Sequence, residues 1–114
     1  MPFISVVETE IYLRDAERLL TEAERSGVVD SLAQDPEQGV LIKGTRGLRK
    51  IRFGFGGRGK RGGGRVIYWF KTDELPLVLL AVYAKNDMDD LSEERRQYLV
   101  KLAAQLETEL GVRS

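Results

Sequence analysis

Between Lys43 and Lys71 the chain reads KGTRGLRKIRFGFGGRGKRGGGRVIYWFK, with ten basic side chains and no acid. The ten are Lys43, Arg46, Arg49, Lys50, Arg52, Arg58, Lys60, Arg61, Arg65 and Lys71. Seven of the twelve residues from Gly54 to Arg65 are glycine. Glycine loses more backbone freedom on ordering than any other residue, so this centre resists regular structure. The runs beside it, Leu48 to Phe53 and Val66 to Phe70, carry β-branched and aromatic residues. The pattern predicts two strands joined by a cationic glycine loop. Soluble surfaces mix charge signs, so ten like charges need a reason beyond solubility. A sheet edge guarded by cations is one. A face that meets phosphate is the other, and the purity of sign favours it.

The rest of the chain balances this block. Residues 1–42 carry a net charge of −6, residues 43–71 carry +10 and residues 72–114 carry −4, summing to zero. Such a molecule is dipolar, with one face for a polyanion and an acidic remainder. Its 114 residues form one domain, 1–114, with enough chain for a single hydrophobic core. Cysteine and histidine are both absent. That removes disulfides, thiolate nucleophiles, thiolate and imidazole metal ligands, and every imidazole triad. No metal or cofactor is expected. The N-terminus lacks the form of a signal peptide, and the longest apolar run, Leu75 to Ala84, is about half a membrane span. A soluble, cytoplasmic protein with no membrane partner is the expectation.

Periodicity places the elements. Phe3 to Val7 has the residues of a first strand. Ile11, Ala16, Leu19 and Leu20 recur at helical spacing, with Arg14, Asp15, Glu17 and Arg18 between them. Thr21 and Glu24 have the spacing of a capping box, which starts a second helix that Asp35-Pro36 ends. In the strand from Leu48, Ile51 and Phe53 face one side, Lys50 and Arg52 the other. In the next strand Val66, Tyr68 and Phe70 oppose Arg65, Ile67, Trp69 and Lys71. Leu77 to Val82 is unbroken and reads as a central strand. Leu99, Leu102, Leu106 and Leu110 mark a last helix. The order is β-α-α-β-β-β-α.

Three local patterns mislead. Gly54, Gly56 and Gly59 spell a dinucleotide fingerprint, and Gly54 to Arg61 nearly spells a phosphate-binding loop. Both motifs require a following helix, and here a strand pattern follows. Asp87, Asp89 and Asp90 lack the glycine and terminal glutamate of a calcium loop, and acids before a helix start are ordinary. Trp69 shares a face with Arg65 and Lys71, so base stacking and core burial stand level for it.

The run GTRGLRKIRFGFGGRGKRGGGRVIYWF, followed by VLLAVYAKNDMDDLSEE and a final helix, resembles the HigB-like branch of the RelE/ParE toxin superfamily. The resemblance implies an α+β fold: a small twisted, largely antiparallel sheet of about four strands with helices on one face. It implies a toxin of a type II toxin–antitoxin module acting on mRNA in the ribosome, with a DNA-binding antitoxin encoded next door. Arg49, Lys50 and Arg52 match the family's basic second strand, Arg65 the arginine opening the third, and Lys85 the basic position after the fourth. Tyr83 stands by position for the aromatic acid–base group, and Tyr98 is the other tyrosine of this region.

The composition fits that chemistry. RNA is cut without metal when its 2′-OH attacks the adjacent phosphate, which needs a base, cations for the added negative charge, and an acid for the 5′-oxygen. Arginine suits the second task because its fork matches phosphate oxygens. Without histidine the base falls to a lysine crowded by other cations, with Lys50, Lys60 and Lys85 as candidates. Catalysis is thus expected from Arg65, Lys85, Lys50, Lys60 and Tyr83. RNA binding is expected from Lys43, Arg46, Arg49, Arg52, Arg58, Arg61, Trp69 and Lys71. The alternatives are a non-catalytic toxin that inhibits DNA gyrase and a plain RNA-binding module.

Overall fold

Two threonines set the start of the helical layer. Thr9 Oγ1 accepts the Tyr12 N–H at 3.2 Å and opens α1 (Glu10–Leu19), while its hydroxyl donates to Leu79 O at 2.7 Å. Thr21 opens α2 (Glu22–Gln34) with both halves of a capping box: Glu24 N–H donates to the hydroxyl, and Glu24 Oε1 accepts from Thr21 N–H. A complete box satisfies two orphan donors, and α2 runs unbroken through Gly27 until Asp35, before Pro36.

The computed structural model describes residues 4–54, 63–84 and 92–110. The remaining elements are β1 (Val6–Glu8), β2 (Val40–Leu41), β3 (Leu48–Phe53), β4 (Gly64–Trp69), β5 (Leu77–Ala84) and α3 (Glu93–Glu109). They form one sheet in the order β1-β5-β4-β3-β2. The β1–β5 pair is parallel and the other three are antiparallel. The mixed α+β class and the element order hold as expected. The short strand β2 raises the expected four strands to five.

A second expectation is corrected: the helices do not all lie on one face. Val66, Tyr68, Phe70, Leu77, Leu79 and Val82 pack with Tyr12, Ala16, Val28 and Leu32 of α1 and α2. Leu48, Ile67, Trp69, Val78, Leu80, Ala81 and Tyr83 pack with Leu99 and Ala103 of α3. β5, and β4 beyond Arg65, are apolar on both sides because both sides are covered, which is why β5 reads as an unbroken run. A bulge interrupts the alternation. Ile67 lies opposite Ala81 and Tyr68 opposite Leu79, leaving Leu80 as the extra residue. Leu80 and Ala81 therefore both enter the α3 side.

The outer edge is fastened from within. The Tyr68 hydroxyl, fully buried, donates to Pro36 O at 2.7 Å and accepts Gly39 N–H at 2.9 Å. A Cβ at Gly39 would come within 2.7 Å of that hydroxyl oxygen. No helix among the described residues is long and apolar enough to cross a membrane.

Candidate nucleic-acid interface

Strand register decides which basic residues meet. Arg52 lies opposite Arg65, and Arg65 lies opposite Tyr83, so the three form one row across β3, β4 and β5. The next row on the same face is Lys50, Ile67 and Ala81, and the one after is Leu48, Trp69 and Val78. Directly opposite residues bring their β-carbons to about 5 Å, and rows two residues apart are about 7 Å from each other. Lys50, Arg52 and Arg65 thus converge on one patch of the face that α3 shares. Arg52 is exposed, Lys50 half-buried, and Arg65 and Tyr83 are buried. Arg65 Nη1 donates to Gly64 O at 3.0 Å, which ties the guanidinium to its own strand.

Like charges directly opposite on a sheet destabilise it. Arg52 against Arg65 breaks that rule, and such breaks mark sites shaped by something other than stability. The arrangement offers a fixed guanidinium, a more exposed guanidinium and an ammonium on adjacent rows, beside a phenol. That set can hold a phosphate and neutralise charge gathering on it.

Other expected residues go elsewhere. Arg49 points to the opposite face, as the two-residue period requires. Its Nη1 donates to Glu37 O at 3.1 Å and Gly39 O at 2.9 Å, and its Nη2 lies 3.7 Å from Glu37 Oε2. It fastens the β2 segment and does not join Lys50 and Arg52. Arg46 Nη1 and Lys71 Nζ both approach Glu107, at 3.7 and 3.6 Å. The block that looks free of acids in sequence receives them from Glu37 and Glu107 after folding. Trp69 is fully buried in the cluster beneath α3, which removes base stacking for it: the apolar neighbours Leu48 and Val78 claim its ring. Lys43 is exposed. Lys60, Lys85, Arg58 and Arg61 lie outside the described residues, as do Asp87, Asp89 and Asp90.

Two residues at this face gave no sequence signal. Arg96 donates to Lys43 O, and Glu107 collects two cations, each across more than thirty residues of chain. Tyr98 is half-exposed in a groove between α1 and α3 with Ile11, Arg14 and Lys101.

The fold and the patch define a class: a small α+β protein whose central antiparallel strands carry a basic row. No protein-family model matches the chain. Among solved structures it is similar to the E. coli toxin RelE. One match is a RelE variant with two arginines replaced, in the free state, at TM-score 0.54 and 15% identity, covering 78% of this chain and 90% of that one. Another is the isolated E. coli RelE toxin, at TM-score 0.51 and 16% identity, covering 87% and 98%. The chain has the RelE fold.

Proposed function

We propose that this protein is a toxin of a toxin–antitoxin module and acts as a ribosome-dependent mRNA endoribonuclease. The observation that carries the reading is the row Arg52–Arg65–Tyr83 with Lys50 on the next row, on a fold shared with a known toxin. A basic group removes the 2′-OH proton, and the 2′-oxygen attacks the adjacent phosphorus to give a pentavalent phosphorane. Arg65 and Arg52 hold its non-bridging oxygens. The P–O5′ bond then breaks, and the leaving oxygen takes a proton from an acid. The products are a 2′,3′-cyclic phosphate and a 5′-hydroxyl end. Lys50 is the candidate base among the described residues, and Tyr83 the candidate acid. Lys60 and Lys85 remain candidates from sequence.

The basic face also suits an antitoxin whose acidic or amphipathic segment covers it, since opposite charge speeds encounter. Inducing the chain in growing cells should arrest them and produce new mRNA 5′-hydroxyl ends within translated frames. Co-expression of the neighbouring small gene should relieve the arrest. Arrest with intact mRNA and altered DNA supercoiling would replace this reading with gyrase inhibition. Binding of RNA without arrest would reduce it to an RNA-binding module.

A further inference from the structure

Folding divides the basic stretch that the sequence presents as one block. One part is the row at Arg52 and Arg65. Another lies along α3, around residues 42–47. There Ile42 packs inward, Thr45 is buried with its hydroxyl donating to Ile42 O, and Gly47 sits against Phe70 O and the Trp69 ring. What the loop presents outward is Lys43, Gly44 and Arg46. Arg96, in the first turn of α3, donates to Lys43 O. Glu107, about three turns further along the helix, lies 3.7 Å from Arg46 Nη1 and 3.6 Å from Lys71 Nζ. Arg46 and Lys71 thus share one carboxylate, while Arg96 reaches the same loop at the backbone of Lys43.

Arg46 has a φ of 59°, the left-handed region that strains a residue with a β-carbon. Its side chain is 64% exposed, and an ion pair so open to water returns little. Internal contacts do not account for an arginine at this position. The Arg46 side chain is left largely in water, as is that of Lys43 three residues earlier.

We infer that Lys43, Arg46 and Arg96, with Lys71, form a second contact for an RNA backbone, one that anchors the strand and takes no part in cleavage. The inference rests on the reading that this protein acts on RNA. The loop leads into Leu48, four residues along β3 from Arg52, a distance of about 14 Å. The two patches therefore lie toward opposite ends of one short strand, β3. Residues 43–46 turn only Lys43, Gly44 and Arg46 outward, but Val40 and Leu41 of β2 are exposed beside them, so a protein surface is the competing occupant that the test must separate. Phosphate contacts need only outward cations.

The test uses the full chain with Lys43→Ser and Arg46→Gly combined. Glycine accepts the left-handed backbone, and Arg96 stays to hold the loop. Binding of a fluorescent single-stranded oligouridylate is followed by anisotropy across a salt series. Two lost phosphate contacts should lower the slope of log Kd against log salt by about 1.4, ~0.7 for each contact. Lys43→Arg with Arg46→Lys should keep the full slope. An unchanged slope in the Ser/Gly variant overturns the anchor, whether or not the chain cuts mRNA. So does a loss confined to polyglutamate, which would make the loop a protein-facing surface. A reduced slope in a chain that never cuts mRNA upholds the anchor and removes only the nuclease reading.

Discussion

Arg65 is the one charged residue that is buried among those described, and it sits between Arg52 and Tyr83 on a central strand. Its backbone is laddered on both sides and its head is tied to Gly64 O, so the fork is fixed before any ligand arrives. Lysine cannot reproduce two parallel hydrogen bonds in one plane. Arg65→Lys should therefore lose roughly a hundredfold in single-turnover cleavage, on the order of 3 kcal/mol of transition-state stabilisation, while still binding ribosomes. Near-normal cleavage at saturating ribosomes would show that Arg65 only positions RNA. That Lys50 and Arg52 share one side of their strand, and that Arg65 lies away from Val66 on its own, was legible from the two-residue period. Their cross-strand neighbours were not, because register depends on how the strands meet. Nor could sequence show that Arg49 is taken up by Glu37, or that Arg46 and Lys71 share Glu107, a side chain more than thirty residues away.

At the scale of elements, local signals were read well and distant ones were not. The capping box of Thr21 and the stop at Pro36 are written within a few residues, and α2 follows them. The leucines of α3 announce a buried stripe, but nothing in them says which face of the sheet they cover. The bulge at Leu80 hides inside a run that is apolar throughout. β2 is only two residues long, and both are exposed, so no periodicity marks it. Tyr68, from the strand two positions away in the sheet, shares with Arg49 the task of keeping β2 in place. Tyr68→Phe leaves Gly39 N–H and Pro36 O without that hydroxyl and should cost about 2 kcal/mol. Hydrogen exchange should show the loss first around residues 36–41. The phenol bonds Pro36 O only while protonated, and burial pushes its pKa above the ordinary 10.0. Its contribution is therefore fully present below pH 10 and lost as the pH rises through the higher folded value. The alkaline branch of the stability curve should flatten in the Phe variant. Equal exchange rates in the two proteins would show that Arg49 alone holds the edge.

The whole molecule is neutral on average and polar in arrangement, with +10 in residues 43–71 set against −6 and −4 on either side. Folding sharpens the contrast in one place by setting Arg52 against Arg65 with Lys50 one row away, and softens it in others through Glu37 and Glu107. Like charges held close oppose the folded state, so a ligand that neutralises them should stabilise it. A polyanion that binds only the folded chain adds about 2.7 kcal/mol at a hundredfold excess over Kd. For a domain of this size that is a rise in Tm on the order of 10 °C. Heparin or oligouridylate at low salt should therefore raise Tm, and the rise should fade as salt screens the contacts. Replacing Arg52 with glutamine should act twice: it should raise Tm without polyanion by relieving the repulsion against Arg65, and shrink the rise with polyanion. An Arg52 that only decorated the surface would change neither. An Arg52→Gln variant that melts lower without ligand, yet responds fully to polyanion, would show that Arg52 serves the fold and that the phosphate-binding face lies elsewhere.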